Sequence, residues 1–292
     1  MRLHAFIPYC CAFVFSFNRL LAIMSLVSDQ FKEIFCAPLE VKSLKTLQLR
    51  REELSQNPDF LGAMSYELCF TTGRVSGVEQ TNSPMSHSSL HCERLKKSCE
   101  FYGLYAEELN TLMSEAQARC LQLIQSKYGA LRVSVRIEGE NIFCYFELKE
   151  VEYCPDQQKS LELGVLKYPE WRKGLPSFLK LNHYKKAYRS LVEVDELIVL
   201  DEDLHFIECV HNSMILELHS GEILLPVHPQ ALESISRKSL KLKLSSFHER
   251  TFGLNQLNEI RHIWICNSLR GIRPVSSIDG QKFDVSTKFD NV

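Results

Sequence analysis

Leu90-His91-Cys92-Glu93-Arg94-Leu95 follows Cys69-Phe70-Thr71-Thr72-Gly73-Arg74-Val75 by about fifteen residues. The earlier run, from Leu68 to Val75, is rich in strand-forming residues and predicts a β-strand, and Asn82 to Pro84 reads as a turn. Ser86 to Phe101 then sets Leu90, Leu95, Cys99 and Phe101 on roughly one face, the pattern of an amphipathic helix. Arg94 stands on that helix. Taken alone, an arginine on a helix of mixed polarity is a solvated charge. What lies around it in the chain gives it another meaning.

Upstream, from Lys32 to Leu54, the spacing of Val41, Leu44, Leu47 and Leu49 fits helix or strand equally. Downstream, Glu107 to Lys127 reads as a helix with Leu109, Leu112, Met113, Ala116, Cys120, Leu121 and Ile124 on one stripe. Leu131 to Ile137 and Asn141 to Leu148 alternate as strands, and Glu138-Gly139-Glu140 between them is a hairpin signal. Cys154 to Ser160 is polar and rich in turn formers, which marks a domain boundary. Beyond it come a strand from Leu161 to Leu166 and the irregular stretch Lys167 to Pro176. A helix from Asn182 to Val192 opens on a good capping residue. Short strands follow at Glu196 to Leu200, Leu204 to Glu208, Met214 to Leu218 and Glu222 to Leu225. Pro229 to Leu242 reads as a helix, and His262 to Cys266 as a buried strand. Blocks of helix and blocks of antiparallel strand predict an α+β protein of two lobes, with a smaller α/β domain over 24–155 and a larger domain over 156–292.

The bulk composition excludes several classes. A chain of 292 residues with 45% hydrophobic and 24% charged residues has an ordinary globular make-up, so disordered and fibrous classes fall away. A formal net charge of −2 supplies no basic field for a phosphate backbone, which argues against nucleic acid. The 11 cysteines include no C-x-x-C pair and are odd in number, so they read as reduced, mostly core thiols rather than a disulfide framework or a zinc site. No metal site is expected, and the location expected from this chemistry is the cytoplasm. Ala5 to Phe17 is an apolar run preceded by Arg2 and closed by Asn18 and Arg19. It is too short to span a bilayer and lacks a small-x-small cleavage site. Residues 1–23 are therefore expected to be an extension upstream of a true start at Met24, with a signal peptide as the alternative.

The order of these stretches resembles the class IV aminotransferases of pyridoxal phosphate fold type IV, also called D-amino-acid aminotransferase-like, and within them the aminodeoxychorismate lyases most closely. The resemblance covers nearly the whole chain after about residue 55. Cys69 to Val75 is similar to the strand that precedes the cofactor arginine, although Tyr66-Glu67-Leu68 replace its usual glycines and acid. His91-Cys92-Glu93-Arg94-Leu95 is similar to the H-x-x-R-L block, which assigns Arg94 to the cofactor phosphate; the fixed donor fork of a guanidinium suits that ligand. Ser177 to Tyr184 resembles the stretch holding the lysine that carries the cofactor. Lys180 is the natural match, with Lys185 and Lys186 as rivals because the spacing to Asn182 is one residue short. Glu208 falls where the family has the glutamate beside the pyridine nitrogen. Ser213 takes the place of the usual asparagine five residues on, a place that Asn212 fills only with a one-residue shift.

Ala231 to Arg237 resembles the helix start that binds phosphate through backbone N–H groups, here those of Ile235 and Ser236, with the Ser236 hydroxyl adding a bond. Ser234 replaces its glycine. Ile265 to Val275 resembles the family's closing strand and turn, which adds Asn267 and Ser268 to the cofactor site. Arg136 is the candidate contact for a substrate carboxylate. The resemblance implies pyridoxal 5'-phosphate as cofactor, a small amino substrate and a homodimer, with no role for membranes or nucleic acid. It further implies conversion of 4-amino-4-deoxychorismate to p-aminobenzoate and pyruvate in folate synthesis. A class IV aminotransferase acting on branched-chain or D-amino acids is one alternative, and a diverged member without catalysis is the other.

Overall fold

The computed structural model describes residues 32–55, 67–76, 85–124, 128–138, 141–150, 159–181, 194–286 and 288–289. The ambiguous segment after residue 32 becomes strand β1 (Lys32–Pro38) and then helix α1 (Leu44–Ser55). Ser43 marks the helix start, since its hydroxyl accepts from the Thr46 backbone N–H at 3.2 Å. Strand β2 (Glu67–Ser76), helices α2 (Ser88–Phe101) and α3 (Leu109–Leu123), and strands β3 (Tyr128–Glu138) and β4 (Asn141–Glu150) follow. Among the described residues these strands form an antiparallel sheet in the order β1-β4-β3-β2. The alternation of β3 gives the sheet two different faces. Leu131, Val133, Val135 and Ile137 join the core with Leu95, Cys99, Met113 and Cys120 of α2 and α3. Each such side chain contributes roughly 1.5–3 kcal/mol by leaving water. Arg132, Ser134 and Arg136 take the opposite face.

The second half of the chain supplies β5 (Leu161–Lys167), β6 (Glu196–Leu200), β7 (Phe206–Cys209), β8 (Ser213–Leu218), β9 (Ile223–Pro226), helix α4 (Ile235–Lys243), β10 (His248–Arg250), a 3-10 turn (Leu254–Glu259), β11 (Ile260–Asn267), β12 (Gly271–Ile278) and β13 (Gln281–Lys282). Its sheet runs β10-β9-β8-β11-β12-β5-β6-β7, with β13 on β12. β5 pairs in parallel with both β6 and β12, while β8 and β11 are antiparallel, so the sheet is mixed. Every residue of β6 is buried, as its unbroken Leu197-Ile198-Val199-Leu200 run requires of a strand covered on both faces.

The helix expected over Pro229 to Leu242 starts only at Ile235. Ser234 holds extended backbone and its hydroxyl accepts from the Arg237 N–H at 3.2 Å, so it caps the helix. The chain ahead of it is spent on other partners: Leu232 N–H donates to Glu208 and Glu233 N–H to the Ser177 carbonyl. The helix expected over Asn182 to Val192 lies outside the described residues, as do Lys185, Lys186, Tyr66, the turn at Asn82 to Pro84, most of the expected boundary segment, and residues 1–23 with Met24. Among the described residues no helix is long and apolar enough to cross a membrane.

The free edge of β2 joins the two sheets. Phe70 N–H donates to the Lys180 carbonyl at 3.2 Å and Arg74 N–H to the Ser268 carbonyl at 3.2 Å. The Ser268 hydroxyl donates to the Thr72 carbonyl at 2.9 Å. Residues 70, 72 and 74 present their backbone groups on one side of the strand, the side that no neighbouring strand among the described residues occupies. The edge of one sheet thereby places Lys180 and Ser268 from the other half of the chain.

Candidate active site

Arg94 lies on the buried face of α2 with 8% of its surface exposed, not in solvent. Its Nη2 donates to Thr71 Oγ1 at 2.6 Å, and His91 Nδ1 lies 2.6 Å from the same oxygen. Burial, and after it the Arg94 charge, pushes His91 well below the usual imidazole range, so the ring is neutral. The geometry suits a Thr71 hydroxyl that accepts from Arg94 and donates to Nδ1, which leaves the proton of the neutral ring on Nε2. Nε2 is buried and makes no hydrogen bond among the described residues. Gly73 permits this approach, because a Cβ there would stand 2.8 Å from His91 Nε2 and 2.4 Å from Met85 Cε.

Lys180 follows a tightly held loop. The residue is partly exposed, but its amine lies deep, with Nζ 4.8 Å from the centre of the Phe70 ring. Desolvation, then the positive charges of Arg94 and Arg132, brings its pKa down from 10.5 to about 7; Glu208 acts in the opposite sense, and Arg172 adds to the lowering. Arg94, Arg132, Glu208 and Arg172 thus all lie within electrostatic reach of this amine. Near neutral pH a large fraction of it is a free base, the form able to act as nucleophile or proton acceptor.

Glu208, on β7, is the acidic end of the group. Its Oε1 accepts from Trp171 Nε1 at 2.6 Å, and its Oε2 from the Leu232 N–H at 3.0 Å. Burial raises its pKa, while the Arg172 charge and these two hydrogen bonds pull it back. A small hollow bounded by Glu208, Ser213, Met214, Leu232 and Arg237 lies on its flank.

Ile235 and Ser236 open α4. The Arg237 N–H is taken by the Ser234 hydroxyl and the Lys238 N–H by the Ser234 carbonyl, whereas the first two N–H groups of a helix have no intrahelical acceptor. α4 lies beside α2: Lys97 first and Lys238 second lower the Glu93 carboxyl. Asn267 is engaged within the protein. Its Oδ1 accepts from the Leu269 and Arg270 N–H groups at 3.0 and 2.7 Å, and its Nδ2 donates to Asn212 Oδ1 at 2.7 Å. Asn212 in turn donates to the buried Glu196. Arg136 pairs with Glu147 and lies over the Tyr145 ring. The cation nearer the amine is Arg132, stacked 4.1 Å from the Phe70 ring centre; its Nη2 donates to both Glu67 carboxylate oxygens, at 2.8 and 2.7 Å.

The structure therefore gathers Arg94, Lys180 and Glu208, with Ser268 held against β2 beside them. Thr71, His91, Arg132, Trp171 and Arg172 were missed by the sequence reading. For Arg132 a signal existed, since it shares strand parity with Arg136; for Trp171 and Arg172, within an irregular stretch, there was none.

The profile of the amino-transferase class IV family matches residues 68–278. The chain belongs to that family. Its solved structural relatives include a Legionella pneumophila protein assigned as a 4-amino-4-deoxychorismate lyase, with a TM-score of 0.62, 20% identity and coverage of 75% of this chain and 86% of that one. A Thermotoga maritima protein assigned as a branched-chain amino acid aminotransferase aligns with a TM-score of 0.59 at 17% identity, over 81% of this chain and 82% of that one. The PLP-bound form of a hypothetical aminotransferase from Mycobacterium tuberculosis gives 0.62 at 17% identity, over 75% and 84%. At these identities the likeness is one of fold. No curated protein matches the chain by sequence. The α+β architecture with antiparallel and mixed sheets expected for a class IV aminotransferase is the one observed.

Proposed function

We propose that this family member is a pyridoxal-phosphate-dependent lyase that converts 4-amino-4-deoxychorismate to p-aminobenzoate and pyruvate. The observation that carries the cofactor-dependent chemistry is the Lys180 amine, brought to about 7 between a buried arginine and a buried carboxylate. The residues present fit the cofactor. The buried Arg94 guanidinium, a fixed fork of donors, suits a phosphate, an acceptor-only ligand, and the neighbouring His91 keeps a buried Nε2 that makes no hydrogen bond among the described residues. Support for the lyase over an aminotransferase comes from the resemblance of Cys69 to Val75 and Cys266 to Leu269 to lyase sequences.

In this reading Arg94 holds the phosphate, together with the backbone N–H groups of Ile235 and Ser236 and the hydroxyls of Ser236 and Ser268. The Ser268 hydroxyl donates to Thr72 in this structure and must rotate to reach an anion. Asn267 keeps that turn in shape. Glu208 holds a proton at the ring nitrogen, with Trp171 and the Leu232 N–H fixing its carboxylate. When bound, the cofactor supplies an electron sink for the pair left at the amine-bearing carbon of the substrate. Lys180 would hold the cofactor, and its amine, as a free base, would accept the proton from that carbon of the substrate. In a lyase pyruvate leaves from the neighbouring carbon as the ring becomes aromatic. Arg136 stands on the sheet face that receives a substrate carboxylate, with Arg132 closer to the amine. The same reading carries a homodimer, a cytoplasmic location and a domain division between 24–155 and 156–292.

Absorbance between about 330 and 430 nm, the range of the cofactor's own chromophore, is the test for wild type and Lys180→Ala with added pyridoxal phosphate. A band in the wild type that Lys180→Ala abolishes is expected, with pyruvate released from 4-amino-4-deoxychorismate. Absence of a band would leave only a non-catalytic relative. Transamination of branched-chain or D-amino acids without pyruvate release would make the protein an aminotransferase.

A further inference from the structure

We infer that Arg172 is a positioning residue that fixes the Lys180 loop and the Glu208 carboxylate in one rigid unit, an inference that rests on the cofactor-site reading above. Arg172 has φ 53°, in the left-handed region that a side-chain-bearing residue seldom adopts, and its side chain is fully buried. That turn aims the guanidinium into the interior instead of out to water. Nη1 donates to the Leu179 carbonyl at 2.9 Å, Nη2 to the Pro176 carbonyl at 2.9 Å, and Nε to the Gln230 carbonyl at 3.2 Å. Nε also lies 3.8 Å from Glu208 Oε1. The neighbouring Trp171 donates to that same oxygen.

The consequence for Lys180 follows from the peptide plane. The Leu179 carbonyl and the Lys180 nitrogen share one planar amide, so a bond to that carbonyl fixes the orientation from which the lysine side chain leaves. The Phe70 N–H holds the next carbonyl, that of Lys180 itself, so the residue is clamped on both sides. A guanidinium suits the task because its rigid fork reaches three carbonyls at once, which an ammonium on a flexible stem does not. Its charge is buried and finds its counter-charge in Glu208, so the carboxylate and the lysine loop cannot shift independently. The charged and titratable groups that face the amine are Arg94, Arg132, Glu208 and Arg172, with His91 neutral behind Arg94.

The test reads Lys180 in the cofactor-free protein. Labelling with trinitrobenzenesulfonate across pH 6 to 11, quantified on the Lys180 peptide by mass spectrometry, gives the midpoint of the amine; pyridoxal phosphate affinity is titrated in parallel. Arg172→Gln is expected to move the midpoint upward by about half to one pH unit and to weaken cofactor binding about tenfold or more. Arg172→Lys, which keeps a cation without the fork, should restore only part of each. Circular dichroism confirms folding, and if Arg172→Gln does not fold, Arg172→Lys decides by the same two readouts. A folded variant with an unchanged midpoint and unchanged cofactor affinity overturns the inference. Because the midpoint is read without cofactor, a wild type that has a low midpoint but gives no absorbance band refutes the enzyme reading alone.

Discussion

Replacing Lys180 by methionine should make the cofactor-free protein more stable in acid and change it little in base. The side chain keeps its length and loses its charge, so the comparison isolates the cost of burying an ammonium. The fall from 10.5 to about 7 sets that cost. At ~1.4 kcal/mol per pH unit it corresponds to roughly 4–5 kcal/mol. Partial exposure of the residue and loss of its contact with Phe70 discount the observable effect to about 2–3 kcal/mol. The direction follows from proton linkage. Below about pH 7 the amine is charged in both states and the folded protein bears the full penalty. Between about 7 and 10.5 the folded state has released its proton while the unfolded chain still holds it, so wild-type stability rises with pH relative to the variant. Urea unfolding of both proteins at pH 6, 8 and 10 measures the difference. A stability gap independent of pH, or one that widens toward pH 10, would refute the placement of this amine in a desolvated, positively charged site.

Two further expectations follow from the phosphate end. Arg94→Gln removes a charge-assisted contact of ~1.5–3 kcal/mol and should weaken pyridoxal phosphate binding by about ten- to a hundredfold, with pyridoxal lacking the phosphate weakened much less in the same absorbance titration. Gly73→Ala puts a methyl group against Met85 and against a His91 ring held by Thr71, so a loss of about 1–3 kcal/mol in thermal unfolding is expected together with weaker cofactor binding; an unchanged melting curve would show that His91 is free to retreat.

Local pattern carried much of this protein. The alternation in Leu131 to Ile137 separates a helix-facing side from a cationic side, and Leu95 and Cys99 mark the buried face of α2, with Leu90 half-buried at its margin. Both regularities follow from backbone geometry alone, which is why they are legible in one dimension. Arg94 lies within that same helix yet reads as a surface charge, because the sequence does not show that Thr71 waits opposite it. The start of α4 was misplaced for a similar reason. Residues 229 to 234 have acceptable helical composition, but Glu208 and Ser177 claim their N–H groups from elsewhere in the chain.

Sequence by itself determined most of the strands, the helices α2 and α3, and the family, through short-range periodicity and the order of its blocks. Where the Lys180 amine lies, and in what state, was decided by tertiary structure. Lys180 has a low pKa first because the fold desolvates its amine, and then because Arg94, Arg132 and Arg172, distant from one another in the chain, converge around it; electrostatic coupling depends on distance through space and on burial. Arg172 shows the same division. Its residue type is plain in the sequence, but its role comes from carbonyls at 176, 179 and 230 and a carboxylate at 208 that only the fold brings within its reach.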